Sequence, residues 1–170
     1  MSVIVFPVYR RCNVQSVEHH YATMIEWLGN RGTGTSGYRD YGREVILTAE
    51  GKHPIEGSAD RTFHGNAERW NPEDMLIASL SQCHLLSYLH VAVSRGVVVT
   101  AYTDNAVGTM EQTQDGGGHF VSVTLRPIVT VASAEMVPAA LDAHHEASKK
   151  CFIANSVNFL VLHEPKVVVA

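Results

Sequence analysis

Three cysteines, Cys12, Cys83 and Cys151, are the residues of this 170-residue chain best suited to chemistry. Their number is odd and no CxxC pair occurs, which fits neither a disulfide-stapled secreted fold nor a four-cysteine zinc site. Free or redox-active thiols in a reducing compartment are therefore expected. Cys83 lies in the middle of an apolar helical stretch, where a thiol is either an inert small hydrophobe or a reacting group.

A metal site is the competing interpretation, and its candidate ligands are two of the cysteines and three histidines: Cys83, Cys151, His84, His144 and His145. Their spacings match no zinc signature, and consecutive histidines on a helix point to different faces. The glycine-rich stretch 29–37 lacks the GKS/T ending of a phosphate-binding loop and reads better as a turn. We expect neither a metal nor a cofactor.

Composition and charge limit the classes of protein to which this chain can belong. The formal net charge is −4 with no block of like charges, so neither nucleic acid nor an acidic membrane surface is indicated as a partner. In the opening eleven residues the charges follow a short apolar run, which is the wrong order for a signal peptide. We expect a cytoplasmic protein with one domain at 19–170, preceded by an extension at 1–18 that holds a candidate strand, Val3–Val8.

The stretch Asn71–Gly96 must position Cys83. Asn71 can cap a helix, Pro72 suits its first position, and acidic residues follow. Arg95 and Gly96 form a cationic last turn and a permissive C-cap. The run between is apolar on nearly every side, so we expect a helix buried on most of its circumference. Its interspersed serines and histidines argue against a membrane span.

The remaining pattern predicts antiparallel strands and one more helix. Alternation favours strands at His20–Trp27 and Glu44–Ala49, then an irregular segment at 51–70 that could cover a site. The expected order is β-β-α-β-β-α-β, an α+β arrangement in which the apolar helix needs a second sheet or a second subunit. The later elements are a hairpin of two long strands joined by a turn that contains DGGG, then a helix and a final strand: Val97–Met110, His119–Val131, Glu135–Lys150 and Val157–Val169. The first of these strands is long enough to need a bend, Pro127 suggests that the second lies at an edge or carries a bulge, and Pro165 interrupts the last.

Four segments together resemble one family. They are NPEDMLIASLSQCH, YTDNAVGTM, VTLRPIV and ASKKCFIANSVNF. In this order they are similar to the OsmC/Ohr family of thiol-dependent organic hydroperoxide reductases, in particular its OsmC-like branch, from about His20 to Pro165. The resemblance implies antiparallel sheets wrapped around a long central helix, in an intertwined homodimer with two equivalent sites at the subunit interface.

The resemblance also implies roles for single residues. Cys83 matches the peroxidatic cysteine, Cys151 the resolving cysteine, and Glu73 the site carboxylate. The family also uses an arginine upstream of the helix, for which Arg39 is the first choice; the alternatives are Arg43 and Arg31. The implied partners are an organic hydroperoxide and a dithiol reductant of the lipoyl or thioredoxin type. A binding module that holds an apolar ligand at the dimer interface is the non-enzyme alternative.

The implied chemistry explains these residue types. A thiolate attacks a peroxide oxygen, an alcohol leaves and a sulfenic acid forms. Burial raises a thiol pKa, so a permanently charged guanidinium is needed nearby. Glu73 and Cys83 are ten residues apart, which is about 15 Å along a straight helix. We therefore expect each site to combine Cys83 of one chain with Glu73 of the other.

Overall fold

The computed structural model of the protein describes residues 17–170. The candidate strand Val3–Val8 and Cys12 lie outside these residues. From Val17 onwards the chain forms nine strands, two α-helices and three short 3-10 turns. The resulting mixture of helices and sheets confirms the predicted α+β class. The expectation of purely antiparallel sheets was wrong, because the last two strands of the chain each pair in parallel with their neighbour.

The long central helix, α1, runs from Pro72 to Ser94 without interruption. The side chain of Asn71 caps it by accepting a hydrogen bond from the backbone N–H of Asp74 at 2.7 Å. Gly96 adopts a φ of 68°, and the N–H of the following residue donates to the carbonyl of Ala92 at 2.9 Å. Such a left-handed residue closes a helix at little cost when it is glycine. The predicted start of α1 and its closure at Gly96 are confirmed, whereas Arg95 is the C-cap itself and not part of a cationic last turn.

The strands form three sheets of three strands each. The first sheet is antiparallel and precedes α1; it consists of β1 (Met24–Trp27), β2 (Val45–Thr48) and β3 (Ile55–Gly57). The second has the order β4 (Val99–Asp104), β7 (Pro127–Val131), β9 (Lys166–Val169). The third has the order β5 (Val107–Gln112), β6 (Gly118–Leu125), β8 (Leu160–His163). The second helix, α2 (Val137–Lys150), separates β7 from β8.

The three long strands predicted after α1 are each divided in two. The segment 97–110 becomes β4 and β5, 119–131 becomes β6 and β7, and 157–169 becomes β8 and β9. The predicted hairpin pairing is correct, because β5 pairs with β6 and β4 pairs with β7, both antiparallel. A bend, an edge or bulge at Pro127 and an interruption at Pro165 were expected within these strands, but not that the two halves of each strand belong to different sheets.

A set of polar contacts at the three breaks explains this division. The backbone N–H of Arg126 donates to Oδ1 of Asp104 at 2.7 Å. The side-chain Nε of Arg126 donates to Oε2 of Glu164 at 2.9 Å. The N–H of Glu164 donates in turn to the carbonyl of Leu125 at 2.8 Å. Where the chain leaves one sheet for the next, side-chain oxygens thus accept hydrogen bonds that a neighbouring strand would otherwise accept. Pro127, which has no N–H to donate, is the first residue of the new strand.

α1 is buried along one face only. The buried positions repeat every three or four residues and face α2 and the second and third sheets: Leu80, His84, Tyr88, Val91 and Ala92. On the opposite face Leu86 is 60% exposed and Val93 is 79% exposed. The expected burial of most of the circumference is therefore not reached within one chain, because the sheets and α2 cover a single side. By length and composition α1 could also cross a membrane, a property that core helices of soluble proteins share.

Candidate active site

Cys83 and Cys151 lie together although 68 residues separate them in the chain. Cys83 is half-buried in the middle of α1, and Cys151 is the buried residue that ends α2. The packing of α1 against α2 makes the two thiols neighbours, close enough for Cys83 to influence the pKa of Cys151. Sγ of Cys83 also accepts a long hydrogen bond from the N–H of Ile153, at 3.5 Å. Both thiols are free, so the pair is in its reduced state.

The environment of the pair makes the two thiols unequal. Burial, together with the hydrogen bond to Cys83, raises the pKa of the Cys151 thiol to about 11. At neutral pH this thiol is protonated and can donate its hydrogen to the Cys83 sulfur. A protonated thiol is a poor nucleophile. Cys151, buried and protonated, is therefore poorly suited to attack a substrate.

Cys83 opens into a cavity of about 950 Å³. Apolar side chains from α1 and from the segment after α2 form much of its wall, among them Leu86, Phe152 and Ile153. Lys52, which follows β2, and Lys150, at the end of α2, also line it. A cavity of this kind suits a ligand with a substantial apolar part.

Glu73 stands at the far end of the same helix. It lies in the first turn of α1, with its Oε2 buried and without a hydrogen-bond partner among the described residues. Because α1 is continuous, Glu73 and Cys83 are about 15 Å apart along its axis. The structure does not bring the carboxylate to the thiol of its own chain.

The three arginines expected upstream are not at the thiols either. Arg39 and Arg31 are exposed. Arg43 lies between two aromatic rings and donates to the backbone carbonyls of Tyr41 and Tyr38 at 2.6 and 2.7 Å. None of the three lines the cavity beside Cys83. Arg39 stays a prediction as the site arginine.

Arg69 is a largely buried arginine that the sequence pattern does not single out. It lies in the segment between β3 and α1, with its side chain 21% exposed and its Nη1 buried without a partner among the described residues. Its position four residues before Glu73 was the available signal. The spacing alone could not separate it from other loop arginines, because burial at that point depends on the tertiary packing.

A second buried cluster joins the helices that carry the thiols. Nε2 of His84, on α1, is 3.0 Å from Nδ1 of His144, on α2, and the ring of His163, on β8, is 4.4 Å from that of His84. Burial, reinforced by the neighbouring imidazoles, lowers the pKa of His84 to about 3. The same causes lower the pKa of His144 to about 4, and burial lowers the pKa of His163. All three are neutral at physiological pH.

These histidines and cysteines do not form a metal site. Within residues 17–170 no group of three or more His, Cys, Asp or Glu side chains has the arrangement of metal ligands. Two of the ring nitrogens, Nε2 of His84 and Nδ1 of His144, are instead engaged with each other. The cluster acts as a packed polar core between α1 and α2.

Comparison with known proteins identifies the fold. An OsmC-like protein of unknown function from Vibrio cholerae O1 biovar eltor superposes with a TM-score of 0.78 and 28% identity, over 87% of this chain and 99% of that one. An organic hydroperoxide resistance protein from Elizabethkingia anophelis gives 0.63 and 18%, over 91% and 100%. An organic hydroperoxide resistance protein from Legionella pneumophila gives 0.64 and 16%, over 89% and 98%. These likenesses establish an OsmC-like fold.

A family model leads to the same family as the comparison of structures. No curated protein matches the chain. A family model described as OsmC-like protein matches residues 65–162, which is more than half of the chain. The matched region includes Arg69, Glu73, Cys83 and Cys151 and begins after Arg39. The chain therefore belongs to the family of OsmC-like proteins.

Proposed function

We propose that the protein is a thiol-dependent peroxidase that reduces organic hydroperoxides to alcohols, with Cys83 as the attacking thiol and Cys151 as the resolving thiol. The observation that carries this proposal is the contact between the two sulfurs, one of which opens into an apolar cavity. Membership of the OsmC-like family supports it, because relatives in fold include organic hydroperoxide resistance proteins.

The reaction proceeds in three balanced steps. The Cys83 thiolate attacks one peroxide oxygen, the O–O bond breaks, and the leaving alkoxide takes up a proton and departs as an alcohol. The Cys83 sulfenic acid then condenses with the Cys151 thiol, which forms the disulfide and releases water. A dithiol of the lipoyl or thioredoxin type, available in a reducing cytoplasm, reduces the disulfide by thiol exchange.

The raised pKa of Cys151 suits this order of events. Because that thiol stays protonated at neutral pH, it does not compete with Cys83 for the peroxide. Its contact with Cys83 places it next to the sulfenic acid as soon as that group forms. Rapid condensation protects the sulfenic acid from further oxidation by a second peroxide.

Substrate preference is the first test. Burial of roughly 100 Å² of apolar surface in the cavity stabilises a bulky hydroperoxide by about 2.5 kcal/mol. We therefore expect cumene hydroperoxide to react roughly 70-fold faster than hydrogen peroxide. Stopped-flow measurement of the second-order rate constants, with thiols counted before and after, checks this. tert-Butyl hydroperoxide serves as the smaller organic control, and equal rate constants for all three peroxides would contradict the prediction.

The cavity also favours a second function, that of a binding module for an apolar ligand. Such a module would bind a long-chain ligand while both thiols stay reduced. Titration of free thiols after incubation with a hydroperoxide separates the two functions. Loss of two thiols per chain supports the peroxidase, whereas tight binding of the corresponding alcohol with no thiol loss supports the module.

The site is expected to be complete only in a homodimer. The apolar face of α1 around Leu86 and Val93 is exposed in the single chain, and contiguous apolar patches of this kind mark interaction surfaces. Two α1 helices that cross on this face bring Cys83 of one chain near Glu73 of the other, which removes the separation of about 15 Å within one chain. An obligate and largely apolar interface follows.

Subunit mixing tests this arrangement. Cys83→Ser and Glu73→Ala subunits are each expected to be inactive as homodimers. In a heterodimer both lesions fall in one composite site and the other site is intact, so a randomly exchanged equimolar mixture should regain about a quarter of the wild-type activity. Light scattering verifies the dimer. A mixture that stays inactive after verified exchange, or an active monomer, would refute the composite site.

A further inference from the structure

The turn that follows α2, residues 151–156, is held in one conformation by Asn155. The side-chain amide of Asn155 donates to the carbonyl of Cys151 at 2.9 Å and to that of Lys149 at 3.0 Å. Its backbone N–H donates to the Cys151 carbonyl as well, at 3.1 Å. The side chain of Ile153 packs against the apolar core beneath the turn. The orientation of the N–H groups in this turn is therefore fixed by the fold.

Two N–H groups of this turn act on the thiols. The N–H of Ile153 donates to Sγ of Cys83 at 3.5 Å. Burial raises the pKa of the Cys151 thiol, whereas the N–H groups of Ala154 and Ile153 lower it in part. They do so because an N–H donor stabilises a charged sulfur more than a neutral one. This stretch of backbone thus favours negative charge at a sulfur that burial keeps neutral.

The two sulfurs differ in their access to solvent. Cys151 is 1% exposed, whereas Cys83 is half-buried and lines the cavity of about 950 Å³. In thiol–disulfide exchange an external thiolate attacks one sulfur, and the other departs as a thiolate. A reductant that enters through the cavity meets Cys83, so Cys151 is the sulfur that must depart. Burial opposes a charge on Cys151, and its departure therefore requires donors nearby.

We propose that the backbone N–H groups of Ile153 and Ala154 receive Cys151 as the leaving thiolate when the disulfide is reduced. Asn155 is the positioning residue that holds these two donors in place. This inference rests on the proposed function, and it assigns a role to the turn in the reductive half of the cycle.

The reductive half of the cycle then balances as follows. One thiolate of the dithiol bonds to the Cys83 sulfur, the S–S bond breaks, and Cys151 departs as a thiolate. The Cys151 thiolate takes up the proton of the second reductant thiol. The second reductant thiolate attacks the reductant sulfur of the mixed disulfide, so that Cys83 is released as a thiolate and the reductant becomes a disulfide.

Asn155→Ala tests the positioning role. The disulfide is formed with diamide in a Cys12→Ser background, and its reduction by dihydrolipoamide is followed by stopped flow. Loss of an oriented donor to a thiolate should slow this reduction about tenfold. Consumption of the first equivalent of peroxide by the reduced variant should slow less. Equal losses in the two half-reactions would show that Asn155 has a merely structural role and would overturn its assignment.

Asn158 supplies the matched control, because it is exposed three residues further along the same segment. Asn158→Ala should keep the rates of both half-reactions. Thermal unfolding and light scattering establish that both variants are folded and have the same oligomeric state. If Asn155→Ala does not fold, the backbone substitution at Ala154 tests the donors without any change of side chain.

The position of Cys151 makes that backbone substitution accessible. A synthetic peptide of residues 151–170 begins with a cysteine and can be ligated to residues 1–150 that carry a C-terminal thioester. An α-hydroxy acid in place of Ala154 replaces its N–H by an ester oxygen and keeps the methyl side chain. Reduction of the disulfide should become about tenfold slower than in the ligated all-amide protein. An ester protein that is reduced at the control rate would overturn the inference.

The sulfur that the reductant attacks is identified separately. The diamide-oxidised protein is mixed with β-mercaptoethanol, quenched with acid and analysed by mass spectrometry. The mixed disulfide is expected on Cys83, with Cys151 as a free thiol. A mixed disulfide on Cys151 would make Cys83 the leaving thiolate and would refute the role of the turn.

The outcomes separate this inference from the proposed function. If hydroperoxides leave both thiols reduced, but the diamide-formed disulfide is reduced as described, the peroxidase fails and the role of the turn stands. If hydroperoxides form the disulfide, and the Asn155 and ester variants are reduced at the wild-type rate, the inference fails and the peroxidase stands. Failure of diamide to join Cys83 and Cys151 would overturn both.

Discussion

Cys83→Ser is expected to reduce hydroperoxide turnover to the uncatalysed background. A serine hydroxyl is not ionised near neutral pH and cannot form the sulfenic acid through which the proposed reaction passes. The change removes one sulfur from a half-buried helical position, so the helix and the fold should survive it. Consumption of cumene hydroperoxide in the presence of excess dithiothreitol measures the loss, and thermal unfolding shows that the variant is intact.

Cys151→Ser is the informative partner of that variant. Cys83 is then still able to attack, but no thiol lies beside it to resolve the sulfenic acid. We expect one equivalent of peroxide to be consumed per chain in the absence of reductant, followed by arrest as a sulfenic acid that dimedone traps. Mass spectrometry locates the adduct.

Cys12 provides the control for both cysteine variants. It lies outside the described residues and has no assigned role, so Cys12→Ser should turn over as the wild type does. Sustained turnover in Cys83→Ser would remove the basis for the peroxidase and favour the binding module. Equal and complete loss in Cys12→Ser would show that the pairing of Cys83 with Cys151 is not the redox couple.

Local signals in the sequence are sufficient to predict α1. Asn71 and Pro72 begin it and Gly96 ends it because capping depends on residues within one turn of the helix end. The pairing of the two long strands after α1 was also predictable, since alternation of apolar residues and the DGGG turn are local features. These predictions required no knowledge of which elements pack together.

The division of the strands was not predictable in the same way. Asp104, Arg126 and Glu164 are far apart in the chain, and their hydrogen bonds exist only once three strands lie side by side. The alternation of apolar residues continues across the breaks, and the local marks of a change are the prolines Pro127 and Pro165. Pro127 was expected to mark an edge or a bulge, and it marks the point at which the chain changes sheet.

The candidate site shows the same contrast. The roles of Cys83, Cys151 and Glu73 were proposed through resemblance, because a thiol within a helix carries no local mark of its partner. The structure adds the contact between the two thiols and the raised pKa of Cys151. Burial of Arg69 is likewise a tertiary property, so the resemblance led to Arg39, Arg43 and Arg31 without drawing attention to Arg69.

Acidification is expected to destabilise the fold through the buried histidines. His84 and His144 have pKa values of about 3 and about 4, below the value of about 6.5 for a histidine in an unfolded chain. The folded state therefore binds fewer protons than the unfolded state between these values. Stability is fully present above pH 6.5 and falls as the pH decreases through that window.

The expected size of the effect is large for a domain of this length. Each such histidine lowers the free energy of unfolding by about 1.4 kcal/mol per pH unit below pH 6.5, so a change from about pH 7.5 to about pH 5 removes roughly 4 kcal/mol for the pair. His163, with its lowered pKa, adds to this loss, although nearby Asp104 raises that pKa and moderates the effect. The ring of Tyr88 stacks on that of His144, and the ring of Tyr102 lies beside Tyr88. Burial raises the pKa of both phenols, so they stay neutral over the whole range.

Adjacent histidines on α2 give a matched pair of variants for this prediction. His144 is buried against His84, whereas His145, the next residue, is exposed. In urea titrations at fixed protein concentration between about pH 5 and pH 8, His144→Gln should flatten the dependence of unfolding free energy on pH by close to one proton. His145→Gln should leave the slope unchanged. Identical slopes for both variants and the wild type would show that the cluster does not control acid stability.

The cluster also joins α1 to α2, so the loss of stability at low pH should separate Cys83 from Cys151. The yield of the disulfide after a hydroperoxide pulse should therefore fall over the same pH window.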